Sequence, residues 1–225
     1  DLRGGAPDGR DILSNIDTVQ FADTVMSFAA LRALPTAGPD SIIGTPDADA
    51  LSGAGGNDTI RGLGGDDTLA GDANDDTIEG GPGADSLSGG AGVNQLSYAS
   101  DTVGVSVNLG TGAVSGGDAA GDVLAGGFVD IQGGSGADTL TGDGAGNYIF
   151  GGNGNDLLDG GAGADLVSGE EGDDTVLGSA GVDLMGGGSG NDIVDYNASG
   201  VAVIVNLVLE LGSGGDAAND TLLGF

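Results

Sequence analysis

One nine-residue pattern constrains this chain more than any other feature. The stretch Gly151-Gly152-Asn153-Gly154-Asn155-Asp156-Leu157-Leu158-Asp159 reads G-G-x-G-x-D-x-U-x, where U is a large apolar residue. Glycines crowd its first half, where a tight turn demands positive φ. A carboxylate closes the turn at position six, and three residues with a β-like pattern follow. The frame holds for seven units starting at 35, 44, 53, 62, 71, 80 and 89, and for seven more starting at 133, 142, 151, 160, 169, 178 and 187. Position eight is apolar in all fourteen, from Ile42 to Leu96 and from Leu140 to Val194. Position six is Asp in twelve of them, the exceptions being Asn94 and Asn147. A chain with 31 Asp in 225 residues would place about two there by composition alone.

A longer period lies over the short one. Tyr98 to Gly126 matches Tyr196 to Gly224 at a constant offset of 98 residues, through Val103-Val105-Val107-Leu109 and then Gly116-Gly117-Asp118-Ala119-Ala120. Alternating Val marks a strand with one buried face, so each insert reads as a strand pair. The expected organisation is a module at 35–132 (array 35–97, insert 98–132) and a second at 133–225 (array 133–195, insert 196–225, ending short). Residues 1–34 read as the tail of a preceding module followed by a linker, with Thr24–Leu31 open to either a short helix or a strand. The chain opens in mid-pattern and is expected to be a segment of something longer.

Composition narrows the chemistry. Fifty-one glycines and 4% aromatics, with no Trp, cannot fill a thick interior. Thirty-five acids against four bases leave a net charge of −31, whose self-repulsion opposes compaction unless counter-ions bind at fixed sites. Without such ions the alternative is a disordered acidic chain. The charge argues against a nucleic-acid partner, which would demand basic patches. The absence of Cys and His removes disulfides, thiolates and the usual zinc ligands. No signal peptide and no apolar run long enough to span a bilayer are present.

Hard oxygen donors remain, and these suit calcium, which takes six to eight oxygens at roughly 2.3–2.6 Å. If successive turns alternate sides, two nonapeptides make one 18-residue coil, and units i and i+2 stack. Position-six carboxylates then lie about 4.8 Å apart along the stack, repelling one another unless a cation is shared. The chain resembles the RTX, or haemolysin-type, calcium-binding repeat family, whose nonapeptide is known as a calcium-binding β-helix repeat. The resemblance implies an all-β fold, a right-handed parallel β-roll (β-solenoid) of stacked nonapeptides interrupted by the inserts. It also implies Ca2+ ligation by Asp40, Asp49, Asp58, Asp67, Asp76, Asp85, Asp138, Asp156, Asp165, Asp174, Asp183 and Asp192, with carbonyls at positions two and four completing each shell. Five i/i+2 pairs per array give roughly ten ions. Ions beside Asn94 and Asn147 are expected to be weak or absent. The position-five acids Asp66, Asp75 and Asp173 read as solvated. Asp118, Asp122, Asp216 and Asp220 are open as further ligands, and Tyr98 and Tyr196 read as junction packing.

Function follows two lines. The repeated module points to a calcium-loaded structural segment of a secreted bacterial surface, adhesin or filament protein, with calcium and self-association as partners. The alternative is the secretion-assisting region of a large exoenzyme or RTX toxin. Catalysis within this chain is not expected: its acids follow a nine-residue period and do not form one cleft, and no nucleophile–base set exists. An ice-binding surface would need a regular Thr row, which the frame lacks.

Overall fold

The computed structural model describes residues 18–20, 25–27 and 35–225. The chain divides into two compact units, Asp1–Leu34 and Pro35–Phe225. In the first, Thr18–Gln20 and Val25–Ser27 are antiparallel strands, so part of the 24–31 stretch is strand. The rest of the expected module tail and linker lies outside the described residues.

In the second unit each nonapeptide contributes a three-residue strand at positions seven to nine, and each strand pairs in parallel with the one 18 residues on. Ile42 faces Ile60 and Leu51 faces Leu69. Two units therefore make one coil, and alternate units feed opposite faces of a β-solenoid, as expected from the frame. One face is a continuous sheet of nine parallel strands, from Ser41–Ile43 to Thr221–Leu223. The other face is split. One sheet runs from Ala50–Ser52 to Val123–Leu124, and a separate one from Ser106–Asn108 to Ile193–Asp195.

The core is one residue wide. Twelve of the fourteen position-eight side chains are buried, and Leu51 and Val194 are half-buried. Each buried aliphatic contributes about 1.5–3 kcal/mol, but only if the coils stay in register. A one-residue slip would turn the whole row outward.

The turns show why glycine is needed. Gly152 and Gly154 have φ of 104° and 129°, a region closed to most side chains. A Cβ on either would strike the carbonyl oxygen of Gly134 or Gly136 in the preceding coil. Where the sequence departs from glycine the backbone does not: Leu63 keeps φ 82°, Asn74 82° and Glu170 75°.

The inserts hold more structure than a strand pair. Ser106–Asn108 and Ala113–Ser115 form the expected antiparallel hairpin. A 3-10 turn at Gly117–Ala119 follows, and then Val123–Leu124 and Phe128–Gln132 complete an entire further coil. Ile131 pairs with Leu96 on one side and Ile149 on the other, so the sheet crosses residue 132 unbroken, with a bulge at Phe128/Asp130. The hairpin and turn recur 98 residues later at Ile204–Asn206, Leu211–Ser213 and Gly215–Ala217. The expected alternation holds only in part. Val105 and Val107 are buried, but Val103 is 76% exposed and Val201 64%.

Candidate metal-binding rows

The position-six carboxylates stand in rows along the two edges of the solenoid, at the mouth of each turn. They are held there by an internal ladder. The Asp156 Oδ1 accepts the Asp138 backbone N–H at 2.8 Å, Asp174 that of Asp156 at 2.9 Å, and Asp192 that of Asp174 at 2.9 Å. The other edge and the first array repeat this, as in Asp58 to Asp76 at 2.9 Å and Asp67 to Asp85 at 2.8 Å. Beyond Asp40 and Asp49, each of these carboxylates thus spends one oxygen on a backbone N–H of the neighbouring coil.

The second oxygen sorts the twelve expected ligands into two groups. In Asp58, Asp67, Asp76, Asp85, Asp156, Asp165, Asp174, Asp183 and Asp192 the Oδ2 is buried and meets no hydrogen-bond donor among the described residues. In the other three the turn itself supplies a donor. Thr36 N–H and hydroxyl reach Asp40 Oδ2 at 2.6 and 3.0 Å, Thr45 reaches Asp49 at 2.6 and 2.9 Å, and Gly134 N–H reaches Asp138 at 2.8 Å. A buried carboxylate oxygen with no donor is strongly disfavoured, and nine in register form a repeated demand for positive charge.

The surroundings of those oxygens fit a hard cation. A Cβ built on Gly53 would sit 2.7 Å from the Gly71 carbonyl oxygen and against the Asp58 carboxylate. The same convergence recurs at Gly62, Gly71, Gly151 and Gly169. Carbonyls at positions two and four point along the stack into the next turn, as Gly38 does toward Gly56. Among the described residues no three acidic or other metal-ligating side chains converge on one point. Any ion here would take one or two carboxylates and draw its other oxygens from backbone, the donor set calcium favours.

Electrostatics say the same. Burial pushes the Asp156 carboxyl up to about 7, with the charges of Asp138 and Asp174 adding to it against the Asp138 N–H bond. Burial likewise lifts Asp85 and Asp183 to about 6. These groups resist ionisation as long as only protein surrounds them.

Asp122 and Asp220 complete the ladder although no nonapeptide precedes them. Asp122 Oδ1 accepts the Asp85 N–H and Asp220 Oδ1 the Asp183 N–H, each at 2.9 Å. The D-x-U triplets Asp122-Val123-Leu124 and Asp220-Thr221-Leu222 are the signal that marks them, without the usual glycines before. Their second oxygens accept the hydroxyls of Tyr98 at 2.9 Å and Tyr196 at 2.6 Å. The tyrosines pack at the junction as expected, and also close the row. Asp118 is half-buried in the 3-10 turn, outside the ladder. Position-five acids are exposed and form an outer row: Asp66 accepts the Ala84 N–H at 3.0 Å and Asp75 the Val93 N–H at 2.9 Å.

A family description, the RTX calcium-binding nonapeptide repeat, matches the chain in four copies over residues 36–69, 61–96, 132–167 and 159–194, more than half of its length. The chain belongs to the RTX calcium-binding repeat family. The four RTX matches fall on the two arrays and leave the inserts outside. RTX repeats bind Ca2+, and the nine donorless oxygens all lie within the matched residues. No curated protein matches this RTX chain. Among the described residues no helix is long and apolar enough to cross a membrane.

Proposed function

We propose that this chain is a calcium-binding structural segment of a secreted bacterial surface, adhesin or filament protein, and that it folds on meeting calcium outside the cell. The observation that carries the reading is the set of nine buried carboxylate oxygens without a donor, stacked beside inward carbonyls. Calcium binds at those nine aspartates, with Asp40, Asp49 and Asp138 as weaker positions because their own turns already serve them. Nine such oxygens stand against the roughly ten ions expected from the frame.

The extracellular reading follows from affinity. Extracellular calcium modules work at dissociation constants of roughly 10⁻⁴–10⁻³ M, far above cytosolic free calcium. A chain at −31 would stay extended during export and set on arrival. The 98-residue modules favour a spacer over an accessory to a hydrolase or toxin, and solenoid ends offer backbone edges for self-association. No catalytic role is assigned: the acids serve the ladder, and the chain has neither His nor Cys. Imaging cells that display the protein, with and without a chelator, tests this use. Loss of surface structure on chelation is expected; an intact surface, or a soluble monomeric enzyme, refutes it.

A further inference from the structure

We propose that the first insert is a calcium-free collar dividing the solenoid into two rows that load independently, with Tyr98, Asn94 and Asn147 as the residues that exclude the ion. The inference rests on the calcium reading above. Around residues 117–132 the second oxygen of each ladder position, or its counterpart, meets protein.

In the first array the donorless oxygens end at Asp85, and in the second they resume at Asp156. Between them every ladder position is answered by protein. Asp122 keeps its Oδ2 for the Tyr98 hydroxyl, and that phenol is 1% exposed. A buried phenol must donate its single proton, and this carboxylate is its acceptor. Burial and the Asp122 charge both raise the Tyr98 pKa, so the hydroxyl stays protonated.

The two exceptions to position-six Asp flank the same coil. Asn94 donates its amide to the Gly127 carbonyl at 2.8 Å, from the coil before. Asn147 donates its amide to the Val129 carbonyl at 2.7 Å, from the coil after. Each amide nitrogen is directed at a backbone carbonyl that an Asp could reach only through a cation. Amide and hydroxyl together leave no ladder oxygen of this turn stack without a partner, and Asp118 stands apart from the ladder in the 3-10 turn. The loop before Asp122 is a 3-10 turn whose carbonyls are engaged, Gly117 accepting Ala120 N–H and Ala119 accepting Asp122 N–H, each at 3.4 Å. The Tyr196–Asp220 bond recurs 98 residues on at 2.6 Å, so the device belongs to the repeat.

Coupling between ions in a solenoid passes from neighbour to neighbour. A collar without ions interrupts that chain of coupling while the sheet itself continues through it. Hydrogen exchange of the whole chain, followed across a calcium titration, reads each array separately. In Asp156→Asn the calcium midpoint for Leu157 and Thr175 amides is expected to rise about tenfold, and that for Thr68 and Thr77 less than twofold. Native mass spectrometry gives the ion count. Asp122→Asn is expected to bind as many ions as the parent, and Asp156→Asn fewer. Tyr98→Phe, which removes only the hydroxyl, is expected to speed exchange of the Val123 and Gly89 amides in saturating calcium. Midpoints that move together in both arrays, or an ion lost in Asp122→Asn, overturn the collar alone. A parent chain that binds no calcium overturns the reading beneath it.

Discussion

At the scale of single residues, one carboxylate per nine does two jobs with two oxygens. In nine of the twelve, Oδ1 holds the preceding coil and Oδ2 is left without a donor, the oxygen we propose for calcium. Asp156→Ala removes both, so calcium affinity and cooperativity are expected to fall clearly in a calorimetric titration, whereas Asn147→Asp exchanges an amide already bonded to Val129. The raised carboxyls also set a pH dependence. Asp156, Asp85 and Asp183 hold protons more tightly folded than unfolded, at about 7, 6 and 6 against 3.8. Their contribution to calcium-free stability is therefore greatest when protonated, and is lost as pH rises from about 4 to about 7. In chelator the thermal midpoint is expected to drop across that window. In saturating calcium it is expected to hold or rise, because the ion needs the ionised form. A chelated midpoint that climbs with pH would contradict the burial of these groups. Asp101 is the counterexample: burial raises it, but N–H bonds from Asp118, Val103 and Gly104 outweigh that and hold it below the usual range. Asp101→Ala leaves those three donors unanswered and is expected to cost about 2–3 kcal/mol in urea unfolding. The equivalent position in the second insert is Ser199, whose hydroxyl accepts only the Asp216 N–H at 3.3 Å.

At the scale of elements, a turn and a three-residue strand are individually too short to persist, and only stacking stabilises them. The turn imposes its backbone even on unsuitable residues. Leu63 sits at position two with φ 82° and 46% of its surface exposed, a left-handed conformation costing an L residue roughly 1–2 kcal/mol. Leu63→Gly is expected to stabilise the calcium-loaded protein by up to about 1 kcal/mol after glycine's own entropy cost. Thermal melts compare the two, and an unchanged or lower midpoint would show the strain relieved elsewhere. The inserts add a hairpin edge. Val107 of the first is covered by the parallel strand Thr139–Thr141, while Val205 of the second is 38% exposed.

At the scale of the molecule, a core one residue wide and a charge of −31 leave little to oppose electrostatic expansion. Above about pH 7, where the raised carboxyls are ionised, calcium is expected to convert an extended chain into the solenoid, seen by circular dichroism as strand content that appears with calcium and vanishes with chelator. Equal spectra in both conditions would sink the proposal. The collar predicts that this transition has two steps, one for each array.

Much of this was legible in one dimension. The nine-residue frame determined the coil, the alternation of faces, the buried position eight and the carboxylate at position six, because each follows from local geometry repeated at a fixed spacing. The family was readable for the same reason. The folded structure sorted which carboxylates keep a free oxygen, since Thr36, Thr45 and Gly134 satisfy their own turns through bonds spanning four residues that the frame does not encode. It also decided that Asp122 and Asp220 join the ladder across 37 residues, and that Tyr98 and Tyr196 meet them across 24. Local spacing dictates what a turn repeats; contacts between distant turns emerge only when the coils stack.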